Sequence, residues 1–312
     1  MFGIIPDFLP KSSQRSPEAI SHKSLGTLWL EVILWQNKAM PVQLTTLSQS
    51  SLQDYADCAR RFELRYIQQL SYPAIETEPA LENEKHQQEG EYFHRLAQQS
   101  LVGIPAEQIG KLANTSNLQR WWDNFLPFSE TGLAGLTRRL PEITLSAPLG
   151  NFRLLAKYDL IGLAKDGRAY IYDWKTYRKR PKDEWLHTRL QTRVYRALLV
   201  QAGAHLNGGV PFEPEQIEMV YWFADFPSEP ARFVYQRDQF KRDWDALTRL
   251  AEEITTASSF PLTDDRAKCS YCPYRSYCNR GTRAGEALDA ELETEAEELF
   301  DINFEQIGEI AF

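Results

Sequence analysis

The spacing of apolar residues divides the chain into a helical first half and a strand-rich second half. Leu52, Tyr55, Ala59, Phe62 and Tyr66 recur at helical spacing, and Ser50 with Gln53 reads as a capping box. A helix is therefore expected from Ser50, with Cys58 on it beside the apolar stripe. A Glu-rich, Pro-containing connection over Ile75 to Leu81 leads to a second expected helix around Gly90 to Leu101, and residues 111–140 read as helical and Trp-rich, with Trp121 and Trp122. From Ile143 the period changes. Ile143 to Leu149, Phe152 to Ala164, Arg168 to Lys175, Ile217 to Phe223 and Arg232 to Gln236 alternate or run apolar, with the β-branched and aromatic residues that suit strands. One helix, Glu184 to Gln201, lies between them, and another, Asp243 to Thr255, follows. Strands, then a helix, then more strands predict an α/β core whose mixed central sheet is flanked by helices, with a helical lobe upstream.

The strands carry the first candidate chemistry. Two-residue spacing puts Asp173 and Lys175 on one face of their strand and Trp174 on the other. Asp159 lies on the preceding strand, and the connecting turn decides whether it joins them, because a slip of one residue sends a side chain to the opposite face. A three-residue loop, Lys165-Asp166-Gly167, with Gly167 left-handed, pairs 164 with 168 and sets Asp159 opposite Asp173; a two-residue Asp166-Gly167 turn separates them. Two adjacent carboxylates share a proton or bind a hard cation, for which Mg²⁺ or Mn²⁺ is suited. The other reading is a pair of edge-strand charges with an exposed lysine.

Length and charge then narrow the classes. The 312 residues, 43% hydrophobic, suffice for one substantial core. The net charge of -8 argues against a nucleic-acid partner until it is divided, because residues 284–312 hold ten acids and no Lys or Arg, which leaves the body at +2. No apolar run reaches the roughly 20 residues that cross a bilayer. The expected organisation is a disordered extension over 1–39, a compact domain over 40–283 and an acidic tail over 284–312, in a cytoplasmic protein.

Tyr158-Asp159-Leu160, Ile171-Tyr172-Asp173-Trp174-Lys175-Thr176 and Gln191-Thr192-Arg193-Val194-Tyr195, preceded by Gly90-Glu91-Tyr92-Phe93-His94, resemble in order and spacing the GxxxH, D, DxKT and QxxxY series of RecB-like PD-(D/E)XK nucleases. The resemblance implies a restriction-endonuclease-like fold in which His94, Asp159 and Asp173 bind Mg or Mn, Lys175 is the catalytic base or charge stabiliser, and Gln191 and Tyr195 shape the site beside DNA. Trp174 replaces the tyrosine of many relatives, on the strand face away from the chemistry.

Cys269, Cys272 and Cys278 form one compact group, and Cys58 is the remaining cysteine, so all four suit a tetrathiolate site for either a 4Fe-4S cluster or Zn²⁺. The arrangement is similar to that of the family's iron-sulfur branch, found in AddB-type subunits and CRISPR-associated adaptation nucleases, where the cluster pins the two ends of the domain. Lys175, Arg178, Lys179, Arg180, Lys182, Arg189 and Arg193, interleaved with Tyr177 and Trp185, offer a phosphate track or a solvated surface. Tyr271, Tyr274 and Tyr277 read as packing around the sulfurs. The function expected is a metal-dependent deoxyribonuclease, an exonuclease on single-stranded DNA or DNA ends in repair, recombination or defence, alone or with a helicase. The alternatives are a catalytically silent DNA-end-binding subunit and a zinc-stabilised interaction protein.

Overall fold

The computed structural model describes residues 44–71, 80–270 and 272–281, the side chains of Ala80 and Leu81 excepted. All of them belong to one unit, Val42–Phe312. The expectations for residues 1–39, for most of the Ile75–Leu81 connection, for Tyr271 and for the acidic tail lie outside the described residues.

Six strands form one mixed sheet: β1 (Thr46–Ser48), β2 (Leu136–Leu149), β3 (Phe152–Ala164), β4 (Ala169–Lys175), β5 (Ile217–Phe223) and β6 (Phe226–Val234). β2 lies antiparallel along the whole of β3, so β1 and β4 share the other edge of β3, β1 parallel at its start and β4 antiparallel at its end. β5 then runs parallel to β4, and β6 antiparallel to β5. The helices are α1 (Gln49–Asp57), α2 (Ala59–Phe62, continued by a π turn over Glu63–Ile67), α3 (Ala80–Leu101), α4 (Ala106–Gly110), α5 (Ser116–Thr131), α6 (Asp183–Thr188), α7 (Leu190–Ala202) and α8 (Arg237–Thr256).

Alternation along the strands builds two separate cores. Ile171, Met219, Tyr221 and Phe223 point to one side, where Val194, Ala197 and Leu198 of α7 and Leu247 and Ala251 of α8 cover them. Tyr172, Trp174, Val220 and Trp222 point to the other, into an aromatic layer of Phe93 from α3 and Trp121, Trp122 and Phe125 from α5. Phe125 meets both Trp174 and Trp222 edge-on, the geometry that aromatic quadrupoles favour. The sheet is thus buried on both faces, as a mixed sheet flanked by helices requires.

Four sequence expectations need correction. The first helix begins after Ser48, whose side chain accepts from the Ser51 amide, one cap earlier than Ser50. That helix stops at Cys58, which is extended (φ -162°, ψ 105°) and stands between α1 and α2, so Cys58 is a joint and not a residue within a helix. Residues 136–140 are strand, because the long β2 must span the full length of β3. The helix expected from Glu184 to Gln201 is two helices, parted at Arg189 (φ -61°, ψ 143°), where the next amide, that of Leu190, is capped by Gln53 Oε1 at 3.3 Å.

Candidate active site

The turn between β3 and β4 has the three-residue form. The Ala164 amide donates to the Arg168 carbonyl at 3.0 Å, Gly167 is left-handed (φ +83°), and Ile161 pairs with Ile171. Carried on, that register faces Asp159 with Asp173. The last ladder pair is Leu160 with Tyr172. Beyond it the Asp159 side chain takes over, accepting from the Trp174 backbone amide at 2.7 Å through Oδ2. The other oxygen, Oδ1, lies 3.1 Å from His94 Nδ1. Burial raises the Asp159 carboxyl, but His94, the Trp174 amide and Lys175 outweigh it and hold the group below the usual carboxylate value.

Asp173 and Lys175 share a face, as alternation requires. Lys175 Nζ stands 2.8 Å from Asp173 Oδ2, and both side chains are almost wholly buried, at 2% and 4% exposure. Gln191, in the first turn of α7, donates to Asp173 Oδ1 at 3.0 Å. Tyr195, one turn further on, is buried and packs on Tyr158, the residue before Asp159, with ring centroids 4.7 Å apart. His94, Asp159, Asp173, Lys175 and Gln191 therefore meet where the β3–β4 ladder ends, drawn from elements on both faces of the sheet.

Helix α3 reaches that end through His86, Gly90 and His94, spaced four apart on one face. The His86 Nε2–H donates to the Thr176 carbonyl at 2.8 Å. A Cβ on Gly90 would come within 2.8 Å of Thr176 Oγ1, closer than side-chain carbons approach. Glycine at 90 therefore lets the helix lie against the end of β4 and bring His94 to Asp159.

One acidic residue escaped the sequence reading. Glu142 lies on β2 between Pro141, which pairs with Leu160, and Ile143, which pairs with Tyr158, so it stands across from Asp159. Its backbone is left-handed (φ +56°), a conformation that costs a non-glycine residue on the order of 1–2 kcal/mol. Burial, and then the Asp159 charge, raise its carboxyl, although Lys157 ion-pairs with it. Leu140 and Ile143, three apart, both pack on the α7 side, as do Tyr158 and Ile161 on β3. Both strands thus change facing at the level of Glu142 and Asp159. Two apolar residues an odd number apart on one strand face are the signal that alternation alone could have supplied.

The cysteines come from the two ends of the described chain. Burial first, and then the Cys58 and Cys269 thiols, raise the Cys278 thiol. Cys272 packs with Leu64, Tyr274, Leu70 and Cys278, and Arg280 Nη1 approaches Cys269 Sγ at 3.9 Å. Around them Lys268 Nζ binds Asp57 Oδ1 at 2.8 Å, Tyr274 Oη donates to the Leu70 carbonyl at 2.9 Å, and Tyr277 Oη to that of Ser71 at 3.0 Å. Among the described residues, no three His, Cys, Asp or Glu side chains are gathered closely enough to hold a metal ion.

The expected basic track is largely engaged within the protein. Arg178 binds Asn83, Arg180 binds Asp183 and the Glu229 carbonyl, and Arg193 lies 3.8 Å from Asp243. Tyr177 is buried, and Trp185 packs against the core under the Arg189 guanidinium.

A sequence profile of the PD-(D/E)XK nuclease superfamily matches residues 46–279, well over half of the chain. The chain belongs to the PD-(D/E)XK nuclease superfamily. Membership makes it a hydrolase of phosphodiester bonds, and the six-stranded mixed sheet between helical layers is the restriction-endonuclease-like core. Among solved structures, that of SSO0001 is 16% identical with a TM-score of 0.37, covering 82% of this chain and 97% of its own. A “Putative exonuclease” from Eubacterium rectale is 9% identical with a TM-score of 0.45, covering 81% and 94%. No curated protein matches this nuclease. No helix among the described residues is long and apolar enough to cross a membrane.

Proposed function

We propose that this nuclease is a Mg- or Mn-dependent deoxyribonuclease, an exonuclease acting on single-stranded DNA or DNA ends in repair, recombination or defence, in the cytoplasm. The observation that carries the reading is that Asp159 and Asp173 face each other where the β3–β4 ladder ends, with the buried Lys175 paired to Asp173. His94, Asp159 and Asp173 offer one imidazole and two carboxylates, a donor set suited to a hard divalent cation. Lys175 on Asp173 and His94 on Asp159 now cover these oxygens, and a cation would have to draw the three side chains together. A bound Mg²⁺ or Mn²⁺ supplies Lewis acidity toward a scissile phosphate and acidifies a water.

The chain's own residues do the rest. Lys175, buried against Asp173 Oδ2, stabilises the developing phosphate charge or orients the attacking water. Gln191 fixes the Asp173 carboxylate, the Trp174 amide fixes that of Asp159, and Tyr195 supports the strand that carries it.

Cys58, Cys269, Cys272 and Cys278 hold a 4Fe-4S cluster in this reading, with Zn²⁺ as the alternative, and the cluster joins the segment around Cys58 to the C-terminal segment. It is supported by the hydrogen bonds that already tie those segments, Lys268 to Asp57 and Tyr274 to the Leu70 carbonyl. The domain spans 40–283, and a helicase or another repair or defence protein is the expected partner.

Anaerobic purification followed by cleavage of end-labelled single- and double-stranded DNA, with and without Mn²⁺, tests the reading. Metal-dependent release of short products from ends is expected. Full cleavage by both Asp173→Ala and Lys175→Ala would overturn this active site. Bound zinc in colourless protein would replace the iron-sulfur assignment.

A further inference from the structure

Tyr221 lies beside the site but belongs to none of its recognised motifs. It stands on β5 in parallel register with Asp173 on β4, and the alternation that turns Asp173 and Lys175 toward α7 turns Tyr221 the same way. Its ring lies 5.6 Å from Lys175 Nζ, and the Tyr177 ring lies 5.7 Å from the same atom. Lys175 is almost entirely cut off from water, so these two ring faces replace part of the hydration that its ammonium has lost.

The Tyr221 hydroxyl has a second task. Thr192 Oγ1 is 2.6 Å from the Leu186 carbonyl, which can only accept, so the threonine proton goes there. Tyr221, 2.7 Å from Thr192 Oγ1, therefore directs its own proton toward Thr192, with Gln191 Oε1 at the edge of reach, 3.5 Å away. The hydroxyl thereby holds Thr192, the neighbour of Gln191 in the first turn of α7, while the Gln191 NH₂ donates to Asp173. The flipped amide would set an oxygen against a carboxylate.

We propose that Tyr221 is a positioning residue of the nuclease site, its ring holding the Lys175 ammonium and its hydroxyl bracing, through Thr192, the turn of α7 that carries Gln191. This rests on the nuclease reading above for its catalytic consequence. The geometry of the cradle itself does not depend on that reading.

The test separates the ring from the hydroxyl. Tyr221→Phe keeps the ring, and its kcat is expected to fall roughly tenfold, the worth of about one hydrogen bond, with KM for DNA unchanged. Tyr221→Leu removes both contacts, and its kcat is expected to fall about 100-fold, the cost of a small misplacement of reacting groups. A second readout needs no cleavage: in thermal unfolding, the shifts caused by Tyr221→Leu and Lys175→Met should be non-additive in the double variant. If Tyr221→Leu does not fold, Tyr177→Leu opens the same cradle from its other side and takes its place in the cycle. Wild-type kcat in Tyr221→Phe, or additive unfolding shifts, would overturn the proposal. A non-additive cycle in a wild-type protein that cleaves no DNA would refute the nuclease reading and leave the cradle standing.

Discussion

The carboxylate of Asp159 accepts a hydrogen bond from the backbone amide of Trp174 at 2.7 Å, where the β3–β4 ladder would otherwise continue. One oxygen of a proposed ligand thus completes the sheet while the other meets His94. Asp159→Asn keeps an acceptor for the amide, and Asp159→Ala does not. Both substitutions are expected to abolish cleavage, but only alanine should also destabilise the fold, by about 1–3 kcal/mol for the stranded amide. Urea unfolding of the two variants checks this, and equal losses of stability would show that the amide bond contributes nothing.

Gly90→Ala should raise stability by about 1 kcal/mol if helix propensity decided the matter. The 2.8 Å approach to Thr176 Oγ1 predicts the reverse. The variant is expected to melt below wild type and to cleave more slowly, because α3 must back away and take His94 with it. Thr176→Ala in the same chain should restore part of both losses.

Glu142 gives a pH-dependent prediction. Its carboxyl is raised, by burial first and by Asp159 second, so its ionisation works against the fold. A group raised in the folded state contributes stability that is fully present below its unfolded pKa and lost as pH rises through its folded pKa. Glu142→Gln should therefore melt above wild type at neutral pH without added metal, and the gain should vanish below about pH 4, under the ordinary carboxylate range. A gain of the same size at every pH would assign the effect to packing.

Cys58→Ser, Cys269→Ser, Cys272→Ser and Cys278→Ser should each remove the visible absorption of anaerobically purified protein and lower its melting temperature together. Loss of colour in only the three C-terminal variants would exclude Cys58 from the site.

The local pattern reached a long way into this protein. The strand periods around Asp159 and Asp173 and the two-residue spacing of Asp173 and Lys175 follow from chain geometry that neighbouring residues impose on one another, whereas the local pattern left a two- and a three-residue turn at Gly167 equally open. Helix ends were less legible. Ser48 and Ser50 are both plausible caps in sequence, and the breaks at Cys58 and Arg189 depend on contacts with distant segments, such as Gln53 on the Leu190 amide.

The sequence by itself determined a mixed α/β core and the strands that carry Asp159 and Asp173, because alternation acts over a few bonds; the nuclease reading came from the resemblance of its motifs to a family. Only the tertiary structure decided that Glu142 faces Asp159 from a left-handed backbone, that Tyr221 and Tyr177 flank Lys175, and that most of the basic track is spent on internal partners. Glu142 with Asp159, Tyr221 with Lys175 and Arg193 with Asp243 are far apart in the chain, and burial and charge select such contacts only once the sheet has brought its strands together.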